Sequence, residues 1–143
     1  MKKELDLHAE VHLKVPFSDI DAIGLLWHGN YVRYMEYARE EFGRRYGMPY
    51  SAYRDNGYVV PVVEMQMRYK QPVRYEDEVT MHIRYIPSSA AKIEYEYLLT
   101  RDADGVEMFS AKTVQLFVDT AGNQELYCPV FFKEWQDKMF HEG

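Results

Sequence analysis

The chain has 143 residues and a net charge of −6, is 47% hydrophobic, and carries seven Phe, two Trp and thirteen Tyr: enough apolar surface for one core of ordinary domain size and too much for a disordered segment. An acidic balance excludes phosphate-backbone binding as a main role, because nucleic-acid modules concentrate basic charge on one face, so no nucleic-acid partner is expected. The single cysteine, Cys128, excludes an internal disulfide and fits a reducing compartment, and no stretch approaches the roughly 20 apolar residues of a membrane span.

The opening MKKELDLHAE places acids and a histidine where a signal core would be apolar, so a cytoplasmic protein is expected. No composition shift, linker or repeat divides residues 1–143, which read as a single domain. Val11, Leu13, Val15 and Phe17 alternate with His12, Lys14 and Pro16, the period of a half-buried strand, and the proline favours a sheet edge or a strand end. From Asn30 the period changes. Tyr31, Tyr34, Met35, Ala38 and Phe42 recur at helical spacing, while Arg33, Glu36, Arg39, Glu40 and Arg44 fill much of the opposite face. With Asn30 as N-cap and Gly47 followed by Pro49 as the stop, one helix of about 16 residues is predicted.

After a loop containing Asp55-Asn56-Gly57, period two returns in four runs. The first carries Met65, Met67 and Tyr69 against Glu64, Gln66 and Arg68, and breaks at Pro72 and the acidic 75–78 stretch. The second carries Val79, Met81, Ile83 and Tyr85, and the third Ile93, Tyr95, Tyr97 and Leu99. Asp102-Ala103-Asp104-Gly105 then predicts a hairpin turn into a last run over 106–118. A further helix or helical turn follows Pro129 through Phe132, Trp135 and Met139. Strand, long helix, then four strands specifies an α+β fold, an antiparallel sheet whose apolar face needs one helix to cover it.

Metal chemistry is not expected, since His8 and His12 lie at a strand end and no cysteine or carboxylate cluster completes a site. There is no Gly-x-Ser-x-Gly elbow and no glycine-rich phosphate loop, so serine-hydrolase and nucleotide-binding readings fall away, and no cofactor is implied. The informative segment is Phe17-Ser18-Asp19-Ile20-Asp21-Ala22-Ile23-Gly24, followed by His28 and Asn30-Tyr31. It delivers a carboxylate and a histidine to the start of the predicted helix, where unpartnered N–H groups and the helix dipole favour negative charge. That suits acyl-group chemistry, in which a developing oxyanion needs donors close to a nucleophile or base. Gly24 would let the loop turn or approach a ligand closely. Trp27, Tyr31 and Tyr34 read either as helix-packing residues or as walls of an acyl pocket, Asp19 as a structural acid bonding nearby backbone groups, and His28 either as a catalytic group or as a structural histidine.

This segment, continued by Glu36, Ala38 and Arg39 and by the strand pair from Glu64–Tyr69 to Pro72–Asp77, resembles the hot-dog-fold thioesterases of the 4-hydroxybenzoyl-CoA thioesterase type over nearly the whole chain. The resemblance implies a five-stranded antiparallel sheet wrapped around one long central helix. It also implies a homodimer or homotetramer formed through sheet edges, with active sites between subunits and acyl-CoA as substrate. Asp21, the second acid of the motif, would be the catalytic carboxylate, as nucleophile or as general base. His28 would orient a water, bond the thioester or protonate the leaving thiolate, while Gly24, Trp27, Asn30, Tyr31 and Glu64 would lie along the substrate. Glu64 reads more simply as a polar strand residue facing an interface. Arg68, Arg74, Arg84 and Lys92 are candidates for the CoA phosphates, each also readable as a solvated charge. Two other readings are carried: an acyl-CoA binding or sensing protein without turnover, and a hydratase or dehydratase of the same fold, whose aspartate–histidine arrangement is not matched.

Overall fold

The computed structural model describes residues 6–141. Five strands, β1 (His8–Lys14), β3 (Val62–Tyr69), β4 (Glu78–Ile86), β5 (Lys92–Arg101) and β6 (Glu107–Leu116), form one antiparallel sheet in the order β1-β4-β5-β6-β3. The long helix is α1 (Asn30–Tyr46). A short helix, α2 (Tyr50–Asp55), and a ribbon of β2 (Tyr58–Val59) with β7 (Val118–Asp119) follow from the same region, and α3 (Val130–His141) closes the chain. The α+β architecture expected from the sequence is the one found, and no helix of the described residues is long and apolar enough to cross a membrane.

Period two explains the sheet. Val79, Met81, Ile83 and Tyr85 of β4, Ile93, Tyr95, Tyr97 and Leu99 of β5, and Phe109 and Ala111 of β6 are all buried, and they meet the apolar stripe Tyr31, Tyr34, Met35, Ala38 and Phe42 of α1. Phe42 is completely buried, with Tyr46, Tyr95, Tyr85 and Trp135 of α3 around it at ring-centroid separations of 4.8 to 6.4 Å. Burying one such ring contributes on the order of 1.5–3 kcal/mol. α3 also seals the helix C-terminus: the Trp135 indole N–H donates to the Tyr46 carbonyl at 2.7 Å, Gly47 turns left-handed at φ +72°, and Arg44 and Arg45 lie in the last turn.

Three sequence readings are corrected here. Phe17 does not continue the first strand; it opens a 3-10 turn, Phe17–Asp19, and is 72% exposed, because Pro16 has already ended the ladder. Asn30 is the first helical residue rather than the cap, which is Gly29. Arg39 is buried, since its position four after Met35 and three before Phe42 puts it at the margin of the apolar stripe.

Strand order positions the site. Because β3 and β4 are not neighbours, residues 70–77 must cross the sheet, and on the way they pin the motif loop: Leu26 N–H donates to the Val73 carbonyl at 2.7 Å, Leu25 and Arg74 form an isolated antiparallel bridge, and Val15 and Asp77 are joined at 2.9 Å. β3 is left as an edge strand, exposed along nearly its whole length, with Val63 at 54%, Met67 at 40% and Tyr69 at 47%.

Candidate active site

Residues 20–26 form a miniature hairpin in which Ile20 pairs with Leu26. Its turn is closed by Gly24 N–H to the Asp21 carbonyl at 3.1 Å and by Asp21 N–H to the Leu25 carbonyl at 2.8 Å. Gly24 has φ +82°, a conformation that side-chain-bearing residues rarely adopt. The Asp21 carboxylate is built into this turn: its Oδ1 accepts the N–H groups of Ile23 at 3.0 Å and Leu25 at 3.2 Å. Its Oδ2 makes no hydrogen bond among the described residues. One oxygen therefore fixes the group in the turn and the other is uncommitted.

Asp19 ties this hairpin to α1. It is buried, its Oδ2 accepts the Tyr34 hydroxyl at 2.7 Å, and its Oδ1 accepts Arg33 Nη2. Its carbonyl accepts the Trp27 N–H at 3.0 Å and the Asn30 amide at 2.8 Å. The structural role expected for Asp19 is present, but the side chain bonds side chains of the helix rather than neighbouring backbone. The ion pair raises the Arg33 pKa, chiefly through the Asp19 hydrogen bond, and burial, then the Asp19 bond, holds the Tyr34 phenol far above its ordinary value. Asn30 is committed on both sides of its amide, since Oδ1 also accepts Arg33 Nη2 at 2.9 Å.

The start of α1 carries no side-chain cap and no acidic residue in its first turn. The Asn30 N–H is taken by the Trp27 carbonyl at 2.9 Å, and the amides that follow it in the first turn have no side-chain cap against the positive end of the dipole. Trp27 lies over Gly29: a Cβ at Gly29 would come within 2.2 Å of the indole. Gly29 was not singled out from sequence, although a glycine directly before a helix, two residues after a tryptophan, was the available signal. Gly29→Ala is expected to keep the fold, because the half-exposed indole can swing away, and to lower kcat/KM about tenfold by disturbing the helix entrance. Steady-state kinetics beside a melting curve checks this.

His28 is exposed, its ring 5.0 Å from that of Trp27, and its carbonyl accepts the Tyr69 hydroxyl at 3.1 Å. With Leu25, Tyr31, Tyr69 and Val73 it lines an open groove of about 310 Å³ at the end of β3. Tyr31 is buried against Tyr69 and Phe109, and burial, helped by the Tyr69 hydroxyl, pushes its phenol up to about 12. Glu64 is exposed on β3, five residues before Tyr69, and bonds Gln66 at 3.2 Å. Of the basic candidates, Arg84 and Lys92 are paired with Glu96 at 2.6 Å and Glu94 at 3.1 Å, whereas Arg68 and Arg74 have no ion pair among the described residues.

Of the expected site residues, His28 and Tyr31 line this groove, whereas Asp21, Gly24, Trp27, Asn30 and Glu64 are not among its walls. A family model, that of the thioesterase-like superfamily, matches residues 15–136, from the end of the first strand into α3. The chain belongs to that superfamily. Relatives of this thioesterase-like protein include an Aquifex aeolicus protein provisionally named an esterase, 34% identical over 99 residues, 69% of this chain and 77% of its own. A Bacillus subtilis protein provisionally named an acyl-CoA thioesterase is 25% identical over 123 residues, covering 86% and 88%. The crystal structure of DHNA-CoA thioesterase from Staphylococcus aureus superposes with a TM-score of 0.80 at 20% identity, covering 92% of this chain and 89% of that one, so the two share the hot-dog fold. The protein is thus a hot-dog enzyme of thioester-cleaving class.

Proposed function

We propose that this thioesterase hydrolyses an acyl-CoA to free acid and CoA, with Asp21 as its reacting carboxylate. The observation that carries the reading is the Asp21 turn: Oδ1 is anchored by two backbone N–H groups and Oδ2 is uncommitted, in a loop that enters an uncapped helix. As nucleophile, the carboxylate adds to the thioester carbon, expels the CoA thiolate and leaves a mixed anhydride that water opens. As general base, it takes a proton from water as the water oxygen attacks. In both routes charge builds on the thioester oxygen, and the first-turn amides of α1 after Asn30, whose own N–H is taken by the Trp27 carbonyl, are the donors for it. His28 is suited to hand a proton to the departing sulfur, being exposed at the groove.

The groove is open at the β3 edge, and a second copy of this chain is the partner that fits there. Unpaired strand N–H and C=O groups beside Val63, Met67 and Tyr69 offer an antiparallel ladder. Glu64, exposed on that strand, would then lie at the interface between the two copies. Arg74, whose backbone bridges to Leu25 beside the Asp21 loop, is the basic residue best placed for a CoA phosphate.

The test is release of free CoA thiol across aliphatic and aromatic acyl-CoAs. Turnover on at least one class supports the reading; binding without thiol release supports the non-catalytic acyl-CoA binder, and loss of an acyl double bond supports the hydratase. Cys128 should not obscure the assay: burial raises its pKa, so less of it is thiolate at a given pH. Its modification by a thiol reagent is expected to be slower in the folded than in the unfolded protein, with the difference closing as the pH rises toward the folded value.

A further inference from the structure

A second cavity, of about 410 Å³, lies along the C-terminal half of α1, walled by Arg39, Met48, Tyr50, Tyr53, Tyr95 and Gln115. It is at the opposite end of the helix from the Asp21 loop: Arg39 is already roughly 13 Å along the axis from Asn30, and Met48 lies beyond the last turn. Most of its wall is aromatic and apolar, and two buried polar groups break that surface.

The first is the Arg39 guanidinium, 8% exposed as a residue. Nε donates to the Tyr50 hydroxyl at 3.3 Å and Nη1 to the Tyr97 hydroxyl at 3.1 Å. Nη2 has no hydrogen-bond partner among the described residues, and its ion-pair partner Glu36 is 3.9 Å away with its side chain 59% exposed. Burial holds the Tyr97 phenol above its ordinary pKa, so it supplies a dipole and not a counter-charge, and its oxygen is already joined to Thr113 at 2.7 Å. A buried cation served by two hydroxyls and one distant, solvated carboxylate is costly, and a carboxylate with two oxygens in direct reach is its natural complement. The second group is Gln115, 4% exposed, whose Nε2 donates to the Val60 carbonyl at 2.7 Å while its Oε1 has no hydrogen-bond partner among the described residues. At the mouth, Arg44 is held by Glu41, and Glu40 is exposed to solvent.

We propose that this cavity is a ligand site separate from the groove at the helix start, and that it takes an amphipathic organic carboxylate, head on Arg39 and body against Tyr53, Tyr95 and Met48. An anion with an apolar body is favoured over inorganic phosphate because so little of the wall is polar. Free acids of this kind are what thioester cleavage releases. That connection to the enzyme's own product rests on the function proposed above; the site itself does not.

The probe is octanoate, with 1-octanol as its uncharged counterpart, titrated into full-length protein carrying methyl-labelled methionine. The Met48 methyl resonance, assigned with Met48→Leu, is the readout. Octanoate is expected to move that resonance saturably and with at least about tenfold higher affinity than octanol, and Arg39→Met is expected to abolish the preference. Asp21→Asn should leave it unchanged, which separates this site from failure of the catalytic assignment. If Arg39→Met does not fold, the octanoate and octanol comparison in the wild type decides alone. Equal responses to the two probes, or octanoate shifts confined to other methionines, overturn the proposal.

Discussion

Asp21→Asn is expected to fold and assemble as the wild type does while hydrolysing acyl-CoA at least about a hundredfold more slowly. The substitution is unusually clean here because the amide oxygen of asparagine can accept the same two N–H groups, from Ile23 and Leu25, that Oδ1 of Asp21 now accepts. What changes is Oδ2, which becomes an NH2 group able neither to attack a carbonyl nor to take a proton. Thiol release and a melting curve on the same preparation give the comparison. Asp21→Ala should differ by also losing the turn bonds, at about 1 kcal/mol of stability. Hydrolysis near the wild-type rate by the asparagine variant would remove Asp21 from the mechanism.

Asp19→Ala should be the more damaging change for stability, by roughly 2–4 kcal/mol. The carboxylate is buried and its loss strands the buried Tyr34 hydroxyl; Arg33, 42% exposed in its side chain, can turn to water, which keeps the cost below that of a fully enclosed pair. Tyr34→Phe removes one partner only and should cost about 1 kcal/mol. Urea unfolding of the two variants measures both, and an Asp19→Ala protein as stable as the wild type would refute the clamp. Turnover should fall as well, even where the variant is fully folded, because the hairpin that aims Asp21 is held to α1 through Asp19.

The strands, the long helix and the α+β arrangement were legible because each rests on local periodicity, and the end of α1 because Gly47 followed by Pro49 is a strong stop. Pieces held by distant partners were not. The two-residue strands β2 and β7 are too short to have a period, and α2, six residues long, lacks a side-chain cap. The acid motif marks a candidate loop, but nothing local indicates that Asp19 reaches Arg33 and Tyr34, fourteen and fifteen positions away. Arg39 falls with the charged residues opposite the apolar stripe by type, whereas its spacing from Met35 and Phe42 places it inside. Asn30 suits a cap by residue type, whereas the cap is Gly29 and the Asn30 amide is bonded to the Asp19 carbonyl and Arg33 instead.

The two poles of α1 invite opposite treatment from anyone wishing to harden this protein against heat. At the far pole the indole of Trp135, two arginines and a left-handed glycine have already taken the available gains. At the near pole the usual remedies, a serine or aspartate before the first turn or acids within it, stand untried and would ordinarily yield about 0.5–2 kcal/mol. On the mechanism proposed above they would compete with the incoming thioester for the same amides, so the most improvable spot in the scaffold is then the one a thermostability campaign should leave alone.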